Sequence, residues 1–200
     1  MYLSRTTHGF TLVEMLVSLA LFTIVATMSV GTLLVLISGN SRVVGEQTSL
    51  TTLSFALDSI TREIRTGSEY YCDTPTQVSS SAVYNSLTAV RNCITGDSGF
   101  SFREAGESIT GGVGAKRIAY YFSGNTLWRK VGANPAEPIV TNDVRITNAR
   151  FVVTGASPLG TSTDVVQPTV SILLEAQSST TDSGKTFTLQ STVTQRSLDL

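Results

Sequence analysis

The stretch Gly9-Phe10-Thr11-Leu12-Val13-Glu14 opens an apolar run that continues to Ile37, reading FTLVEMLVSLALFTIVATMSVGTLLVLI from Phe10. About 20 apolar residues in a helix span a bilayer, so the run is long enough to do so. It carries one carboxylate, Glu14, and no Lys or Arg lies between Phe10 and Asn40. A charge in hydrocarbon costs roughly 2.5–3.5 kcal/mol on insertion scales and marks a functional position by default. Two readings of Glu14 stand side by side. It is a helix-end residue at headgroup level, or it pairs with a cation at its own depth. Cutting the peptide bond before Phe10 would create such a cation, an α-amino group four residues from Glu14, in the same chain or in a neighbour.

The nonapeptide GFTLVEMLV resembles the type III signal of type IV prepilins: a short polar leader ending in Gly, Phe as first mature residue, Glu as the fifth. The resemblance implies cleavage between Gly9 and Phe10 by a membrane aspartyl prepilin peptidase, and N-methylation of Phe10. It also implies that Glu14 recruits each subunit into a helical filament of pilin or pseudopilin subunits, built on an inner-membrane assembly platform.

Outward from that stretch, residues 1–9 (MYLSRTTHG) are polar with one Arg. A secretory signal peptide has an apolar core of about 7–15 residues with its cleavage site after it; here the run is longer and the candidate cut precedes it. Arg5 and the initiator amine favour a cytoplasmic leader under the positive-inside rule. After the membrane-length run, Val43, Leu50, Leu57 and Ile64 recur every seven residues, with Leu53 and Ile60 between them. That spacing is an a/d stripe and predicts one helix from Phe10 to about Arg65, its second half packed on a head. Gly31, Gly39 and Gly45 each lower helix propensity by about 1 kcal/mol. They are weak spots without consequence, or a place where the helix bends or melts on assembly. Gly67 is expected to end the helix as a left-handed cap.

Residues 67–112 read as a long connection of weak periodicity holding both cysteines, Cys72 and Cys93. Outside the cytoplasm such a pair forms a disulfide; two free buried thiols are the alternative. Strands are expected at Arg117–Phe122 and Thr126–Val131, joined through Ser123-Gly124-Asn125, and at Val144–Val153, Thr169–Ala176 and Thr186–Thr194. In the last, Phe187, Leu189 and Val193 alternate with Thr188, Gln190, Thr192 and Thr194. The expected fold class is α+β: a long N-terminal helix on one antiparallel sheet of four or five strands, the pilin fold. Its parts are a leader (1–9), a transmembrane or filament-core helix (10–37), an amphipathic continuation (38–66) and an extracytoplasmic head (67–200). Tyr121, Gly124, Leu127 and Arg129, then Phe151 to Val153, then Thr188, Val193 and Arg196 look like J-type pseudopilins and W-type minor pilins.

The chain has 200 residues, 14% of them charged, and a net charge of −1; loss of Arg5 with the leader leaves 13 basic against 15 acidic residues. No basic excess points to nucleic acid or a lipid surface as the main partner. The single histidine, His8, leaves with the leader, so Ser-His-Asp and Cys-His arrangements and His-based zinc sites have no base or ligand. Gly96-Asp97-Ser98-Gly99 imitates a protease nucleophile loop but reads as a turn. Gly111 to Lys116 misses the P-loop spacing. Asp97, Glu104 and Glu107 are a weak calcium set. Trp128, Tyr120 and Tyr121 beside Arg117, Arg129 and Lys130 offer stacking and charge for single-stranded DNA, although alternation on strands divides such residues between core and surface. The resulting expectation is a structural filament subunit with no enzymatic role, cofactor or metal. The alternative is a membrane-anchored binding protein, an adhesin or DNA receptor, whose head carries the activity.

Overall fold

The computed structural model describes residues 9–86, 89–105, 117–156, 166–179 and 185–196. The chain forms two compact units, Met1–Val44 and Gly45–Leu200. The α+β, pilin-like arrangement is as expected. Helix α1 runs Leu12–Thr66 as one element, through Gly31, Gly39 and Gly45. After it come β1 (Ser68–Asp73), α2 (Pro75–Val78), α3 (Ser81–Tyr84), β2 (Cys93–Asp97) and β3 (Gly99–Arg103). Then follow β4 (Arg117–Ser123), β5 (Thr126–Val131), β6 (Glu137–Pro138), β7 (Val144–Thr154), β8 (Thr169–Ser178) and β9 (Thr186–Thr194).

The strands make two sheets where one was expected. Five strands run in the order β1-β3-β4-β5-β6, and four in the order β2-β7-β8-β9. Three of the four extra strands, β1 to β3, come from the 67–112 connection, whose pieces lack the two-residue alternation of a half-buried strand; the fourth is the short β6. In β3, Gly99 to Phe102 are all buried, because both faces of the strand are covered. By contrast β8 alternates without a break, burying every second residue from Val170 to Ser178, and it was legible.

One core joins the two sheets to the head end of α1. Leu53, Ala56, Leu57, Ile60 and Ile64 share a cluster with Phe100, Phe102, Tyr120 and Leu127 of the first sheet, and with Ile146, Phe151, Ile172 and Leu174 of the second. Phe100 stacks on Phe102 at 5.6 Å and on Phe151 at 5.8 Å, and Tyr70 meets its edge at 5.5 Å. Each fully buried Leu, Ile or Phe contributes about 1.5–3 kcal/mol, so the helix is held by its apolar stripe. The stripe is shorter than the heptad pattern suggested. Val43 is 51% exposed and lies in the other unit, and Leu50 is only half-buried.

Gly67 does follow the helix, but not as a left-handed cap, since it is absent from the residues with positive φ. Its N–H donates to the carbonyls of Glu63 (3.1 Å) and Ile64 (3.0 Å). A Cβ at this position would overlap the Phe102 ring; close approach, not φ, is what demands glycine. The β4–β5 hairpin turns on two residues, Gly124 (φ 60°) and Asn125 (φ 64°). Positive φ at both positions is the type I′ turn that matches strand twist. Cys72 and Cys93 are joined as a disulfide with Cα atoms 5.7 Å apart. Because β1 belongs to one sheet and β2 to the other, this bond ties the two sheets together.

Candidate functional site

At the N-terminal end the helix begins with a capping pattern. Thr11 precedes Leu12, and its Oγ1 accepts the backbone N–H of Glu14 at 3.3 Å, while the Thr11 carbonyl accepts that of Met15 at 3.2 Å. A Thr with Glu three residues on is the capping-box spacing, and an acidic side chain in the first turn suits the helix dipole. Thr11 carries no role in the sequence-based expectation, although the T-x-x-E spacing was the signal. Among the described residues no ion pair forms at Glu14.

Beyond Glu14 the helix has no other charged side chain before Arg42, and its hydroxyls are turned back onto its own backbone. Ser18 donates to the Met15 carbonyl (3.0 Å), Thr23 to Ala20 (2.8 Å), Thr27 to Ile24 (2.9 Å), Ser29 to Val25 (2.8 Å) and Thr32 to Met28 (2.9 Å). In hydrocarbon every polar group needs an internal partner, and these bonds supply it. Phe10, Leu16, Phe22, Met28 and Leu36 are all exposed. By length and composition α1 is able to cross a membrane. The segment is thus an exposed apolar helix with one carboxylate in its first turn.

Residues 4–30 match the family model of the prokaryotic N-terminal methylation motif. The chain carries a type IV pilin-like prepilin signal. The signal covers the leader end, the Gly9–Phe10 bond, Glu14 and the apolar run as far as residue 30. No curated protein and no solved structure matches the chain.

In the head, the aromatic and basic residues considered for DNA stacking are divided between faces. Tyr120 and Arg129 both reach Glu63 on α1. The Tyr120 hydroxyl donates to Glu63 Oε2 at 2.6 Å, and Arg129 donates Nε to Oε2 (3.2 Å) and Nη2 to Oε1 (3.1 Å). Burial, followed by the Glu63 carboxylate, pushes the Tyr120 phenol well above its ordinary range; it is a neutral donor here. For Arg129, the hydrogen bonds to Glu63 and Tyr120 outweigh the larger opposing effect of burial and hold its guanidinium above the ordinary value. Tyr121 and Trp128 pair across β4 and β5 in the next register position, away from that cluster. Lys130 donates to the Ser79 carbonyl (2.9 Å) and lies 4.3 Å over the Tyr84 ring.

Arg117 is 1% exposed. Its Nη2 donates to the carbonyls of Glu69 (2.5 Å) and Ala89 (2.8 Å), its Nη1 to Ser86 (3.2 Å), and its Nε to Ser101 Oγ (3.0 Å). Burial lowers its pKa to about 10, against the opposing pull of Glu69 and Tyr71, so it is charged at neutral pH. One guanidinium therefore organises the chain between β1 and β2. Neither Glu63 nor Arg117 shows these roles in the sequence, since only their partners' positions in the fold reveal them.

Asp97 and Ser98 lie at the bend between β2 and β3, where Asp97 Oδ1 accepts the Ser98 N–H at 2.7 Å. That is a turn, with no base beside it among the described residues. Glu107 and the Gly111–Lys116 stretch lie outside the described residues, as does the leader up to His8. Among the described residues no three His, Cys, Asp or Glu side chains gather as a metal site.

Proposed function

We propose that this chain is a structural subunit, a minor pilin or pseudopilin, of a type IV pilus or type II secretion-like filament. The observation that carries the reading is the methylation signal at residues 4–30 at the head of an exposed apolar helix. In this reading the precursor sits in the cytoplasmic membrane as a single-pass protein with residues 1–9 in the cytoplasm. A prepilin peptidase cuts between Gly9 and Phe10 and methylates the new amine. Residues 10–37 then leave lipid for the filament core, with 38–66 as the amphipathic continuation and 67–200 as the extracytoplasmic head. Contacts that do not close into a ring extend such a filament. The Glu14 carboxylate pairs with the amine of Phe10 in a neighbouring subunit, which removes both charges from an apolar setting. No catalytic role is proposed.

The test is Glu14→Ala. Leaving one partner of a buried ion pair unpaired costs about 3–5 kcal/mol, which corresponds to a loss of about a hundredfold or more in incorporation. The variant is expected to be inserted and cleaved normally, yet to be lost from the sheared surface fraction. Incorporation at the wild-type level would remove Glu14 from assembly; a wild-type chain that is itself confined to the membrane would favour a membrane-anchored binding protein instead.

A further inference from the structure

The two sheets have four edges, and three of them are blunted. β1 shifts register between Ser68 and Tyr71 and is bridged on its outer side by Arg91. β6 has two residues and ends in Pro138. β2 shifts register between Cys93 and Asp97 and is tied to β1 by the disulfide. Bulges, brevity and proline are the usual ways in which an edge is kept from pairing with another chain.

β9 has none of these. Its nine residues, TFTLQSTVT, include no charge, proline or glycine, and it matches β8 one to one from Gln177↔Thr186 to Thr169↔Thr194 without a shift. Among the described residues no strand pairs with its outer side. A groove of about 240 Å3, lined by Ser54, Leu57, Asp58 and Thr61 of α1 and by Leu189 to Ser191, lies between the helix and the strand.

The strand is also complementary to itself. Folded about Gln190, it sets Thr186 against Thr194, Phe187 against Val193, Thr188 against Thr192 and Leu189 against Ser191. Side chains alternate with a period of two, and this register joins residues of equal parity. The core-facing Phe187 and Val193 meet each other, and the exposed Thr188 and Thr192 meet each other. Thr–Thr and aromatic–β-branched pairs are favourable across strands, and no like charges are opposed. Lys185, just outside the strand, is held by Glu46 at 3.2 Å.

We propose that β9 is a pairing edge through which the heads of two copies of this chain join antiparallel, about a twofold axis at Gln190. Such a contact is isologous and closes on itself. It differs from the contact that extends a filament and does not depend on the assembly reading.

The test uses the full chain in detergent. In T188K/T192K the two lysines stand at exposed positions opposite Glu175 and Ser171 of β8, and across the axis each lysine faces a lysine; both double variants lose the Thr192–Ser171 hydrogen bond alike. In T188K/T192E each lysine faces a glutamate. Wild type and T188K/T192E are expected to be dimers by sedimentation, and T188K/T192K to dissociate at least about tenfold more readily. Q190C is expected to give a crosslinked dimer with a short thiol–thiol reagent, whereas S59C, on the exposed face of α1, is not. A monomeric wild type, equal behaviour of the two double variants, or equal crosslinking at 190 and 59 would overturn the proposal.

Discussion

Arg117→Met should lower the stability of the protein by about 3–5 kcal/mol. The side chain is buried, and its removal leaves the carbonyls of Glu69, Ser86 and Ala89 without the guanidinium donor they now share. An orphaned buried polar group costs about 1–3 kcal/mol, and methionine fills the volume without supplying any donor. For a unit of this size a loss of 1 kcal/mol moves Tm by about 2–4 °C, so a fall of about 10 °C is expected in thermal unfolding of the protein in detergent. Arg117→Lys keeps the charge but not the planar fork of donors, and should fall between the two. A Met variant within about 2 °C of wild type would show that these carbonyls find other partners.

The second large effect is expected on breaking Cys72–Cys93. The bond closes a loop with a sequence separation of 21, which chain entropy values at about 3 kcal/mol. C72A/C93A is the suitable variant, because Cys72 is fully buried and a serine hydroxyl would add a separate desolvation cost. Its Tm should fall by about 6–12 °C, and proteolysis should begin between β1 and β2. If the variant and wild type melt together, the sheets are held by the Phe100–Phe151 stack and the rest of the core alone.

What the sequence revealed and what it hid divide along a physical line. The apolar run with Glu14 was legible because a lone carboxylate in a membrane-length stretch is costly and stands out against its apolar neighbours. β8 and β9 were legible because each has one covered and one open face. The strands of the 67–112 connection were not, because Phe100 and Phe102 are covered on both sides of their sheet and Tyr70-Tyr71-Cys72 shows no alternation. The second sheet was missed for the same reason, since it is β1 and β3 that extend the β4–β5 hairpin into a sheet of its own. The role of Arg117 was hidden, because its partners are backbone carbonyls and a hydroxyl scattered from Glu69 to Ser101. Gly67 was placed correctly for the wrong cause; the Phe102 ring that forbids a side chain there lies thirty-five residues away in sequence.

The most direct measurement is intact mass and N-terminal peptide mapping of the protein in the sheared surface fraction. The expected result is a chain that begins at Phe10 and carries one additional methyl group on its amine. A chain that retains Met1 and is confined to the membrane would contradict processing and assembly together, and would leave an uncleaved anchor in their place.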